Sequence, residues 1–74
     1  MAASKIHVQY GDGSSAKGVK VEMSINGASC KGAYVDSSGV AIIEHTTSGL
    51  ARVYIHGSKV AEFRAPGTTM AKVP

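Results

Sequence analysis

An all-β fold is what this 74-residue chain predicts: a small antiparallel β-sandwich of seven strands, with a small β-barrel as the alternative. Three observations carry that expectation. Apolar and polar residues alternate with period two along most of the chain, so successive side chains of an extended backbone fall on opposite faces. No segment keeps a 3.6-residue apolar period over the ten or twelve positions that a helix needs. Turn-forming Gly, Asn, Asp, Ser and Pro gather at the ends of the alternating runs, at a strand spacing of roughly 8 to 12 residues, as in sandwiches and small barrels.

The elements follow in order. KIHVQY places Ile6, Val8 and Tyr10 on one face and Lys5, His7 and Gln9 on the other, then stops at GDGSS, a turn. GVKVEMSING is the clearest strand: Val19, Val21, Met23 and Ile25 face one way, Lys20, Glu22 and Ser24 the other, and Asn26-Gly27 closes it with a dipeptide that tolerates positive φ. SCKGAYV is a third strand, with Ala33 and Val35 opposing Cys30 and Tyr34, and DSSG a turn. VAIIEH, LARVYIH, KVAEFRA and TTMAKV complete the seven, separated by TTSG, by GS and by Pro66-Gly67. DGSSAKGVKVEM and DSSGVAIIEH share one order, an acid, serines, a glycine and an alternating strand running into a Glu. That is repeated turn-and-strand grammar.

Length allows one domain, residues 1–74, near the lower limit for burying enough apolar surface to fold alone. Chains of this size commonly gain stability from disulfides, a metal or a partner. The single Cys30 forbids an internal disulfide and has no nearby Cys or His at zinc-site spacing, so a partner subunit is the expected source. No cofactor is indicated. Composition, 43% hydrophobic and 18% charged, is that of a globular protein. MAASKIHVQYGDG holds no apolar signal core and no run approaches a membrane span, so a soluble, cytoplasmic protein without membrane contact is expected. A net charge of +3 favours anionic partners only weakly.

With the strands in place, the order of signals resembles the transthyretin-like or carboxypeptidase-regulatory-like β-sandwich, a branch of the immunoglobulin-like architectures. The resemblance runs over about residues 17 to 57. Asp36 and Gly39 match the turn of that pattern, Ala41 and Ile43 the inward positions after it, and Gly49, Ala51, Val53 and Ile55 the later strand. Ala51 stands where the family usually has an aromatic residue and Val35 where a threonine is usual. The resemblance implies binding, spacing or assembly, seldom chemistry. Some adhesin domains of the wider group carry a Lys–Asn or Lys–Asp crosslink. Glu62 before Pro66-Gly67 brushes that pattern, but the final strand has no Asn or Asp to accept one.

No constellation in the sequence specifies catalysis. His7, His45 and His56 titrate nearest neutrality, but none of them sit at i, i+2 or i, i+4, and they are expected to be solvent-facing strand and turn residues. Ser14 to Lys17 spells SxxK, here in a turn and not on a helix. Cys30 and Lys31 are adjacent in an extended strand and so point apart, leaving Cys30 a small buried apolar group. Glu22, Glu44 and Glu62 are expected to meet cross-strand cations such as Lys20 or Arg64 and not to converge on a cleft. The GDG at 11–13 precedes no helix that would cradle a phosphate.

Two surface signals remain. Val40 and Ile42 are apolar opposite Ala41 and Ile43, so VAII is apolar on both faces and needs a cover; with Tyr34 these residues form the expected protein interface. The leading expectation is therefore a non-enzymatic module for protein interaction or assembly, homo-oligomeric or with a protein partner. Arg52, Tyr54, His56 and Lys59 interleave basic groups with an aromatic ring, the pattern of a surface for single-stranded nucleic acid or another polyanion, and form the alternative. A small oligomeric enzyme with its site at a subunit interface is the third reading.

Overall fold

A computed structural model describes residues 2–74. It contains eight strands: β1 (Ala2–Gln9), β2 (Lys20–Ile25), β3 (Ala28–Ser29), β4 (Ala33–Tyr34), β5 (Val40–His45), β6 (Gly49–Ile55), β7 (Ser58–Ala65) and β8 (Thr68–Lys72). They form two sheets, a smaller one ordered β5-β1-β8 and a larger one ordered β3-β2-β6-β7 with β4 also on β2. The all-β class is as the alternation demanded.

The count of eight corrects the count of seven, and the reason is local. The segment SCKGAYV does not form one strand: β3 pairs Ile25 with Ala28 and Ser24 with Ser29, while β4 pairs Val21 with Ala33 and Lys20 with Tyr34. Between those two stretches the register slips by one, so an extra residue is accommodated at Cys30–Gly32, as in a β-bulge. The peptide there stays close to β2. Cys30 N–H donates to the Met23 carbonyl at 2.8 Å, and a Cβ on Gly32 would lie 2.9 Å from the Val21 carbonyl oxygen. Only glycine fits that approach. The slip also changes faces. Cys30, expected opposite Ala33 and Val35, packs on the core beside Ala33, and Tyr34 alone points out.

Every pairing is antiparallel except β1 with β8, which run parallel from Lys5↔Thr68 to Gln9↔Lys72. Among the antiparallel pairs β2–β3 and β6–β7 are joined by two-residue turns, whereas β1 and β8 are separated by the rest of the fold, so no hairpin dictates their direction. Two hairpins have two-residue loops, Asn26-Gly27 at φ of 51° and 84° and His56-Gly57 at φ of 53° and 80°. Positive φ at both central positions is the type I′ conformation, whose twist matches that of the flanking strands.

The two sheets enclose one apolar core. β1 contributes Ile6 and Val8, β2 Val21, Met23 and Ile25, β5 Ala41 and Ile43, and β6 Ala51, Val53 and Ile55. The inward positions assigned from alternation are thus occupied as expected, with one exception. Tyr10 is 41% exposed. β1 ends at Gln9, and the chain then turns through bonds from Tyr10 N–H to Ser14 O and from Gly13 N–H to Tyr10 O, which carries the ring off the sheet.

Candidate functional site

The outer face of the smaller sheet is built by parity. With Ser4, Ile6 and Val8 inward, β1 turns Ala3, Lys5, His7 and Gln9 outward. The register then lines up three rows across the sheet: Ile42, Lys5 and Thr68; Val40, His7 and Met70; and, at one end, Gln9 with Lys72. Ile42 is 49% exposed on β5, with Val40 half-buried beside it, and Met70 is 67% exposed on β8. Apolar side chains therefore stand on the two edge strands of this open face, with Lys5 and His7 on the central strand between them and with Glu44 and Lys72 at diagonally opposite corners. Met70 is the member that alternation did not single out. Its place in the TTMAKV strand puts it outward, but only the parallel pairing brings it beside His7.

At the Gln9 end this face runs into a groove of about 310 Å³ between His7, Gln9, Met70 and the serine-rich loops. One wall is the DSSG turn. Asp36 Oδ1 accepts from the N–H groups of Ser38 (2.8 Å) and Val40 (3.0 Å), and Gly39 N–H closes on the Asp36 carbonyl at 3.0 Å. The carboxylate is committed to its own backbone, as in other Asx turns. The GDGSS turn uses the same device, with Asp12 Oδ1 accepting from Ser14 Oγ (2.7 Å) and Ser14 N–H (2.9 Å). Those two bonds, side chain first, hold the Asp12 carboxyl below the usual aspartate range. The repeated grammar of the sequence is thus a repeated turn chemistry.

Tyr34 does not join Val40 and Ile42. It pairs with Lys20 on β4 of the larger sheet and is 66% exposed. The expected interface residues therefore lie on different sheets. On the larger sheet the register sets Arg52 opposite Glu62 and Tyr54 opposite Lys59. Glu62 takes both cations: Arg52 Nε at 3.3 Å and Lys59 Nζ at 3.2 Å. Hydrogen bonding and charge from Lys59, then from Arg52, hold the Glu62 carboxyl below its ordinary value. The expected partner Arg64 sits opposite Leu50 instead. His56 stands on the tip of the β6–β7 hairpin and not at a strand end. Of the polyanion set, Arg52 and Lys59 are brought together by an acid that neutralises one of the two charges.

His45 corrects the expectation of solvent-facing histidines. It shares the inward parity of Ala41 and Ile43 and is buried. Its Nδ1 lies 2.7 Å from the Thr47 carbonyl and its Nε2 2.8 Å from Oγ of the fully buried Ser4. A carbonyl only accepts, so the proton of the neutral ring is on Nδ1; Ser4 O–H then donates to Nε2, and Gly67 N–H donates to Ser4 Oγ at 3.3 Å. Every polar atom in the chain Gly67–Ser4–His45–Thr47 is satisfied. A serine beside a histidine is the arrangement of an activated nucleophile, but this hydroxyl has no access to solvent and spends its proton on holding β1, β5 and the start of β8 together. The three histidines occupy three separate places, and among the described residues no three of His, Cys, Asp or Glu gather at metal-ligand spacing.

Among the described residues no helix is long and apolar enough to cross a membrane. Comparison with known proteins returns no family model, no curated protein and no solved structure that matches the chain.

Proposed function

We propose that this protein is a non-enzymatic β-sandwich module of the transthyretin-like, immunoglobulin-like kind, acting in protein interaction or assembly through the outer face of β5–β1–β8. One observation carries the reading: Ile42, Val40 and Met70 place apolar side chains on the open side of a sheet whose inner side is already the core. Burying an apolar side chain of that size stabilises by about 1.5–3 kcal/mol, and a chain this small has little core to spare for stability on its own. The open groove and the sealed Ser4–His45 pair support binding over chemistry. A partner on this face supplies what a disulfide or a structural metal supplies in other small domains.

The test is the association state of the intact protein by size-exclusion chromatography with light scattering at two salt concentrations. The native chain is expected to associate, and Ile42→Lys to shift it toward monomer with the β-sheet circular dichroism unchanged. A strictly monomeric native chain, or an assembly that Ile42→Lys leaves intact, would remove this face from the function.

A further inference from the structure

The structure assigns the occupant of this face: a second copy of the same chain, seated crosswise so that Glu44 of each copy meets Lys72 of the other. The inference rests on the reading above, that the outer face of β5–β1–β8 is the contact. What it adds is the identity of the partner and the two residues that set its orientation.

Area and polarity choose the face. The molecule measures 32 × 21 × 16 Å, and a specific interface takes about 800 Å² from each partner. Only a broad face approaches that size. The two broad faces differ in kind. On the larger sheet, Arg52, Glu62 and Lys59 already satisfy one another, and Glu22, Lys20 and Arg64 surround them with further charge. Mating that face would desolvate charges and gain little. The smaller sheet carries fewer charges, Lys5 on its central strand and Glu44 and Lys72 at opposite corners, and places Ile42, Val40 and Met70 on its two edge strands.

The corners choose the orientation. Glu44 stands level with Ala3, and Lys72 with Gln9 two strands away. Six residues along β1 and two strand spacings separate them, roughly 20 Å by 10 Å on the pleated-sheet dimensions. Among the described residues neither has an ion partner within its own chain. A two-fold axis lying in the plane of contact, through the middle of β1 and perpendicular to the Glu44–Lys72 diagonal, exchanges the two corners. Each Glu44 then lies over the other copy's Lys72, and the two pairs lie at opposite ends of the contact. Such an isologous contact satisfies both lone charges twice with one operation. The alternative axes, along or across the strands, leave Glu44 over uncharged positions. Lys5 lies close to the axis, so the Lys5 side chains of the two copies come near one another and must lay their aliphatic stems along the surface to turn both ammonium groups outward to water.

The experiment is a charge-reversal cycle on the full chain, read as the dimer dissociation constant by sedimentation velocity at low salt, with circular dichroism confirming each variant's fold. Glu44→Lys and Lys72→Glu each place two like-charged pairs in the dimer and are expected to weaken it about five- to thirtyfold. The double variant E44K/K72E restores opposite charges and is expected to return to within about threefold of the native constant. Both effects should shrink in high salt. Should either reversal lower the melting point, Glu44→Gln and Lys72→Gln provide the same comparison with smaller steps. A dimer that is lost in Ile42→Lys but is indifferent to both reversals, or one that the double variant fails to restore, overturns the crosswise pairing while the contact face stands. A native chain that stays monomeric at every concentration overturns the second copy and the face together.

Discussion

Replacing Ser4 by Ala removes one oxygen and should cost more than its size suggests. Ser4 is fully buried, and among the described residues its hydroxyl is the only donor to Nε2 of His45, whose other nitrogen is committed to the Thr47 carbonyl. Without it, Nε2 is left as an acceptor with no partner in a site closed to water, a loss of about 1–3 kcal/mol. Gly67 N–H also loses an acceptor, but its 3.3 Å bond is long and the site is part-buried, so water can replace it at a cost of about 0.5 kcal/mol. The sum, about 1.5–3.5 kcal/mol, compares with the roughly 3–5 kcal/mol that a single core of this size provides. For a domain of this length each kcal/mol moves the midpoint by about 4–8 °C, so Ser4→Ala should melt about 6–28 °C below the native protein in differential scanning calorimetry. The cycle with His45→Leu gives the specific term. Because both members of the pair are then apolar, the double variant should be more stable than the sum of single losses by about 1–2 kcal/mol. A Ser4→Ala protein melting within about 3 °C of native, or nitrogen NMR placing the His45 proton on Nε2, would refute the inferred hydrogen-bond chain.

The other expectations concern the turns and the surface acid. Replacing His56 by Asn keeps a residue that accepts positive φ in a type I′ turn and should hold or raise stability, by up to about 1 kcal/mol, whereas His56→Val should lower it by about 1–3 kcal/mol in urea unfolding. Gly49 has φ of +147°, and a Cβ there would lie 2.5 Å from Asn26 Nδ2. Gly49→Ala should therefore cost about 2 kcal/mol, and less in an N26G background, where the colliding side chain is gone. Glu62 should titrate by NMR below the ordinary glutamate value of 4.5 and move back toward it at about 1 M salt, while Asp12, held by neutral Ser14 donors, should not move. For a carboxyl lowered in the folded state, the associated stability is present above the unfolded value and is lost as pH falls through the folded one. Acid destabilisation from Glu62 therefore falls below pH 4.5, and Glu62→Gln should lack it.

What could be read in the sequence is what depends on neighbours along the chain. Val21, Met23 and Ile25 alternate without interruption, and Asn26-Gly27 names its own turn, so β2 and its hairpin follow from local rules. Val40 and Ile42 likewise reveal their outward parity, because Ala41 and Ile43 between them are core. The rest depends on register. One extra residue at Cys30–Gly32 turns Cys30 to the core side and divides a strand, and nothing in the pattern of SCKGAYV marks where the slip falls. The Ser4–His45 bond joins positions 41 residues apart, and the Met70–His7 neighbourhood exists only because β8 runs parallel to β1. Glu62 meets Arg52 because pairing of β6 with β7 sets them in one row, and it meets Lys59 of its own strand where the register shifts between Val53 and Tyr54.

The position of β1 carries one more consequence, for the order in which this chain folds. β2–β3 and β6–β7 are hairpins that close over two residues, so much of the larger sheet can form from contacts near in sequence. The smaller sheet has none of that advantage: its middle strand is β1, whose partners start at Val40 and end at Lys72. Contacts of such separation carry a large loop-closure cost before they give anything back, which slows folding. The strand that leads the chain must wait for the one that nearly ends it. The face bearing Ile42, His7 and Met70 is therefore expected to be completed last, and the association proposed for it would select chains that have already folded.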